Sequence, residues 1–268
     1  MDDVIETAVE RVIHAMRDNL GEPITVDDMA RTAMFSKFHF SRIFQRVTGL
    51  SPGRFLSALR LQEAKRLLLT TSMTVADISH MVGYNSIGTF SSRFRFSVGY
   101  SPTDYRRHDG YVAPLDEYAT QEAEEPADSG NTVRGRLSLS GDCNPGEVIV
   151  AVFPDRIAQS VPVCHAVVSG DDDFVLEDVP DGNWHVMATT VEGSAEDDGG
   201  EEYVGTVGPV TVRANAPAQP VNVRLRSRVI FDPPALLAHL DHRMLATLGS
   251  ETPDTVEESV EEPVLRAA

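Results

Sequence analysis

The sequence predicts a two-part chain. An all-α N-terminal domain of seven helices with two helix-turn-helix units is followed by an all-β antiparallel sandwich. Three observations carry this. Residues 36–55 (SKFHFSRIFQRVTGLSPGRF) recur fifty positions later as residues 86–105 (SIGTFSSRFRFSVGYSPTDY), with seven of twenty paired positions identical. The apolar spacing is helical up to about residue 107 and alternates with period two from Thr132 onward. Between these regimes, residues 111–131 (YVAPLDEYATQEAEEPADSGN) are acidic and without sustained period, which reads as a linker. A length of 268 residues suits two domains, each with its own core.

The helices follow in order. Residues 3–19 place Val4, Ile5, Ala8, Val9, Val12, Ile13 and Met16 at helical spacing. Thr25-Val26-Asp27-Asp28 and Thr74-Val75-Ala76-Asp77 each set a capping Thr three residues before an Asp, a variant of the capping box. They open short helices over Val26–Ala33 and Val75–Met81. A tight turn then leads to a second helix, about Ser36–Val47 and Ser86–Val98, stopped by Gly49 and Gly99. Ser51-Pro52 and Ser101-Pro102 start the next helices, with Ser at the N-cap and Pro at the first helical position. Short helix, turn, helix is the helix-turn-helix arrangement, here written twice. The long helix between the copies, about Pro52–Leu69, would span roughly 27 Å. That is close to the ~34 Å between successive major-groove faces on one side of B-DNA.

Beyond the linker, strands are expected near Val133–Leu139, Glu147–Phe153, Val163–Ser169, Asp173–Glu177, Asn183–Val191, Glu202–Val212 and Val221–Arg226. Turn signals such as Pro145-Gly146 and Asp181-Gly182 separate them. Pro233–Leu248 reads as a small amphipathic helix, and residues 249–268 as an acidic disordered tail. The expected division is 1–110, linker 111–131, sandwich 132–248 with its terminal helix, and tail.

The net charge of −18 hides an asymmetry. Residues 1–110 hold 14 Lys and Arg against 12 Asp and Glu, and the remainder 9 against 29, so +2 is joined to −20. The start, MDDVIETAVE, shows no secretory signal, and no apolar run approaches a membrane span. Two cysteines without a CxxC fit a reducing cytosol, so a cytoplasmic, nucleoid-associated protein with no membrane partner is expected.

On a helical wheel, Phe40, Ile43, Phe44 and Val47 form the core stripe of residues 36–47. The opposite arc holds Phe38, Ser41, Arg42, Gln45 and Arg46. Arg can hold a guanine edge, Gln an adenine, and an aromatic ring a thymine methyl, so this arc reads as a groove-reading face. In residues 86–97, Phe90 and Phe94 again face inward. The outer arc holds Gly88, Thr89, Ser91, Ser92, Arg95 and Phe96, nearly bare of long side chains. Lys37, Arg46, Arg93 and Arg95 are the candidate phosphate contacts.

Over about residues 5–107 the chain resembles the AraC/XylS transcription regulators. The resemblance rests on SKFHFSRIFQRVTGLSPGRF, RLQEAKRLLL, TVADISHMVGYNS and TFSSRFRFSVGYSPTDYR. It implies a seven-helix DNA-binding domain with a long helix joining two helix-turn-helix units. By the same resemblance Phe38, Ser41 and Arg42 align with base-contacting positions of the first recognition helix, and Gly88, Thr89 and Ser92 with those of the second. The family often has Arg at the place of Ser92, and most members put the sensor first, so this chain departs twice. FVLEDVPDGNWHVMA resembles carboxypeptidase-regulatory-like or prealbumin-like modules.

Other residues read as structural. His39 suits packing or hydrogen bonding at the helix junction rather than base contact. Cys164 and His165 point to opposite strand faces, so they do not share a metal with Cys143 and His185. Trp184 shares a face with Val186 and Ala188 and reads as core. The acidic run 196–202 lacks the ligand spacing of a calcium loop. No nucleophile motif or phosphate loop is visible, so no catalysis and no cofactor are expected. The expected function is that of a bacterial sequence-specific transcription regulator. Its partners are double-stranded promoter DNA, with RNA polymerase and a small-molecule effector of the sandwich as further candidates. The rival reading is a ligand- or carbohydrate-binding module with the helices as scaffold.

Overall fold

Thr25 and Thr74 show how local chemistry sets the frame. Each hydroxyl accepts from the backbone N–H of the Asp three residues on, Asp28 at 3.2 Å and Asp77 at 3.1 Å. At Thr25 the Asp28 carboxylate also accepts from the Thr25 N–H at 2.9 Å, completing the box. The computed structural model describes residues 2–110, 131–140, 146–160, 162–169, 172–190, 202–214 and 218–238. Seven helices come first: α1 Asp2–Asp18, α2 Val26–Ala33, α3 Lys37–Thr48, α4 Pro52–Thr70, α5 Val75–Met81, α6 Ile87–Val98 and α7 Pro102–Arg107. Gly49 and Gly99 end α3 and α6 in the left-handed region, at φ 78° and 97°. Ser101 caps α7 through the Asp104 N–H, whereas Ser51 makes no side-chain cap bond and relies on Pro52 at the first helical position.

The sequence repeat becomes a repeat of packing. Phe40, Phe44 and Phe55 form a chain of ring contacts at 5.5 and 5.4 Å, and Phe90, Phe94 and Tyr105 form its counterpart at 5.7 and 5.5 Å. All six rings are fully buried. Each contributes about 1.5–3 kcal/mol by burial, and each tilted pair about 0.5–1.5 kcal/mol more. That is why these positions keep their rings in both copies while the outer positions diverge.

Seven strands follow: β1 Val133–Leu139, β2 Glu147–Phe153, β3 His165–Ser169, β4 Asp173–Leu176, β5 Gly182–Thr190, β6 Tyr203–Val212 and β7 Val221–Ser227. They form one sheet in the order β3-β2-β5-β6-β7-β1-β4. The two end strands, β3 and β4, come into contact, so the sheet nearly closes. This corrects the expected antiparallel sandwich to a barrel-like mixed sheet. Strand β1 runs parallel to β7, with Gly135 opposite Val221 and Leu139 opposite Leu225. Alternation fixes which side chains face inward but carries nothing about partner or direction. The interior is filled by Val133, Leu137, Val148, Val150, Phe174 and Leu225 among others. Gly135 is required there, since a Cβ would lie 2.3 Å from the Phe174 ring and from the Val221 carbonyl.

Strand β2 is buried on both faces, in keeping with its unbroken run EVIVAVF. Its outer side chains, Ile149, Ala151 and Phe153, pack against Ala158, Ala235 and Leu237. The segment 228–238 supplies this cover as an irregular strap. The helix expected over Pro233–Leu248 is not formed over residues 233–238, and residues 239–248 lie outside the described ones, as do the tail 249–268 and linker positions 111–130. The strap alternates: Ala235 and Leu237 face β2, whereas Leu236 and Ala238 join the helical core together with Ile157. Its backbone is tied at Leu236 N–H to Ala158 O (2.8 Å), and Lys65 Nζ donates to Leu237 O (2.5 Å). Helices and sheet therefore share a packed interface rather than hanging on a linker.

Candidate nucleic-acid interface

Helix α3 presents its outer face with Phe38 84% exposed and Lys37, Arg42, Gln45 and Arg46 all exposed. An apolar ring of that size held in water beside two arginines and a glutamine is the aromatic-plus-polar combination that base edges match. Ser41 is half-buried and turns its hydroxyl back to Lys37 O at 2.9 Å. Lys37, a candidate phosphate contact, pairs with Asp27 at 2.7 Å, an exposed pair that DNA could outcompete at little cost. His39 stacks edge-on against Phe35 with centroids 5.0 Å apart, tying the end of the turn to α3, in keeping with its expected packing role.

Helix α6 repeats the arrangement with a different payload. Gly88, Thr89, Ser92, Arg93 and Arg95 are exposed, and Phe96 is 62% exposed. The Ser86 hydroxyl accepts from the Thr89 N–H at 3.4 Å, which places Thr89 in the first turn. All eleven sequence-predicted contact residues thus lie on two equivalent helices, one before and one after α4 in the chain. Arg42 has Ser92 as its counterpart.

Sequence reasoning missed the sheet's approach to the far ends of these helices. Arg54, in the first turn of α4, makes two hydrogen bonds to Asp155, at 3.1 and 2.7 Å. These bonds hold the Asp155 carboxyl below the usual carboxylate range. Ser160 N–H donates to Ser97 O at the end of α6 (2.6 Å), and the Arg156 side chain lies beside Gly49 at the end of α3. His185 sits near this cluster; burial, then Arg156, lowers its pKa, with Asp155 opposing. No local signal in SPGRF or FPDRI announces a pair 101 residues apart. Burial pushes the Cys164 thiol up to about 11, so it is protonated at neutral pH. Among the described residues no group of three or more His, Cys, Asp or Glu could hold a metal ion, and no helix is long and apolar enough to cross a membrane.

The family "Helix-turn-helix domain" matches residues 29–108, from α2 through α7. The HTH-type transcriptional activator AarP of Providencia stuartii is 31% identical over 104 residues, which cover 38% of this chain and 77% of AarP. The chain belongs to the AraC-type helix-turn-helix family. The lactose operon transcription activator of Staphylococcus xylosus is 30% identical over 106 residues, 40% of this chain. The chain spans 38% of that activator's length. A crystallised transcriptional regulator from Chromobacterium violaceum, described as containing an AraC-type DNA-binding domain, is 27% identical and superimposes with a TM-score of 0.37, covering 39% of this chain and 93% of that one. In AraC-type terms, the matched segment is the region that carries both outward-facing helices.

Proposed function

We propose that this chain is a sequence-specific DNA-binding transcription regulator that reads promoter DNA with α3 and α6 in adjacent major-groove turns. The observation that carries the reading is the pair of equivalent helices whose buried faces match and whose outer faces carry Phe38, Ser41, Arg42 and Gln45 on one side and Gly88, Thr89 and Ser92 on the other. These residues are assigned to base edges. Lys37, Arg46, Arg93 and Arg95 are assigned to phosphates, which position without specifying. Helix α4, with 19 residues, gives a spacer of roughly 28 Å. Membership in the AraC-type family and the regulator relatives support the same reading.

The sheet is assigned the regulatory role, sensing an effector or docking a protein partner such as RNA polymerase, within a unit covering about residues 132–248. Its likeness to carboxypeptidase-regulatory-like modules around residues 174–188 supports a non-catalytic part. Action in the cytoplasm follows from the same reading. The test is duplex binding by the full chain across a salt series, with sites selected from random DNA. Phosphate contacts give a negative slope of log K on log salt of about 0.9 per neutralised phosphate. A flat slope and no selected motif would refute DNA reading and leave the scaffold alternative.

A further inference from the structure

The loop before the first helix-turn-helix and the turn of the second meet backbone to backbone. A Cβ on Gly21 would lie 2.8 Å from Met81 O, and one on Gly83 would lie 2.5 Å from Leu20 O. Gly83 also holds φ +83°, where only glycine is at ease. Into this junction α4 sends Arg60 from its middle. The guanidinium donates to Glu22 O at 2.7 Å and to Gly83 O at 3.2 Å, so one side chain bridges both units. Its Nε is buried without a partner, and burial lowers its pKa, so the residue is held there against desolvation. Ser57 and Tyr84 add a hydroxyl contact at 3.4 Å.

Helix α4 packs against α2 and α3 of the first unit and against α5 and α7 of the second, within one continuous core. A direct contact between the units away from the helix axis adds a further constraint on how one is rotated against the other. We propose that Arg60, with Gly21 and Gly83, is a positioning clamp that sets the relative rotation of α3 and α6, and so the spacing of the two half-motifs that this chain accepts in DNA. The clamp touches no base; it discriminates by geometry. It rests on the DNA-reading function proposed above.

The experiment uses the full chain. Sites are first selected from random duplexes. The best site is then rebuilt with one base pair inserted or removed between its half-motifs. Wild type is expected to lose about tenfold in affinity on either change, because one helix forfeits a base contact. Arg60→Ala is expected to lose about threefold or less while the half-motifs themselves stay the same. Gly21→Ala keeps Arg60 but forces the backbones apart, and is expected to relax or shift the preferred spacing. Arg60→Lys, which keeps the charge but lacks the planar fork that meets the two carbonyls through separate nitrogens, is expected to fall between. If Arg60→Ala does not melt cooperatively, Arg60→Lys and Gly21→Ala decide. Folded variants with wild-type spacing discrimination overturn the clamp. So does a wild-type motif of one uninterrupted block whose affinity ignores the insertion. Absence of any selected motif together with a flat salt slope is a different result, and refutes DNA reading itself.

Discussion

Helices α3 and α6 share a frame and differ in cargo. Phe40 and Phe44 sit where Phe90 and Phe94 sit, each pair continued by an aromatic of the next helix, and all are fully buried. Outside, Arg42 faces water where its counterpart is Ser92, and Gln45 and Arg46 stand where α6 has Arg95 and Phe96. The lesson is that packing constrains the inner half of each repeat and leaves the outer half free to specialise. One copy carries long hydrogen-bonding side chains suited to base edges; the other carries short ones with arginines beside them.

The largest expected effect tests the shared frame. Phe44→Ala and Phe94→Ala each remove a fully buried ring and should cost roughly 3–5 kcal/mol in denaturant unfolding. A cost under about 1 kcal/mol for only one of them would break the equivalence of the two cores. Next comes the interface at the far ends of both helices. Leu236 is 1% exposed within the helical core, so Leu236→Ala should cost about 2–5 kcal/mol, read as a lower unfolding midpoint of the whole chain. No change would mean that the strap does not hold sheet and helices together.

Smaller effects separate the two outer faces. Arg42→Ala should relax base preference at one or two positions, a discrimination of about 1–3 kcal/mol, measured by site selection. Arg95→Ala should weaken all sequences alike and lower the salt slope by roughly one. If Arg95→Ala erases part of the selected motif and Arg42→Ala leaves it intact, the roles of the two copies are exchanged. The smallest effect is expected at Arg54→Ala. Its pair with Asp155 is largely exposed, so stability should fall by under about 1 kcal/mol, and by less at high salt.

Much of this protein was legible in its sequence because local rules govern it. Capping threonines, proline at helix starts, glycine stops and the 3.6-residue apolar period marked the seven helices within a residue or two. The duplicated segment exposed both outward faces. Period-two alternation at the first strand, and short apolar runs set off by turn signals after it, located all seven strands; that β2 is buried on both faces was shown only by the structure. These signals lie within a few residues of the element they define.

Tertiary structure decided what depends on partners distant in sequence. Nothing local told β1 to run parallel to β7, turning an expected sandwich into a nearly closed mixed sheet. Pro233–Leu237 carries an apolar pattern that suits a helix, yet the chain is irregular there because alternate side chains serve two surfaces at once, β2 on one side and the helical core on the other. Arg54 with Asp155 and Arg60 with Glu22 and Gly83 are likewise invisible as patterns. A sequence shows which residues want burial or a partner. Only the folded chain fixes which of the competing partners lies within reach.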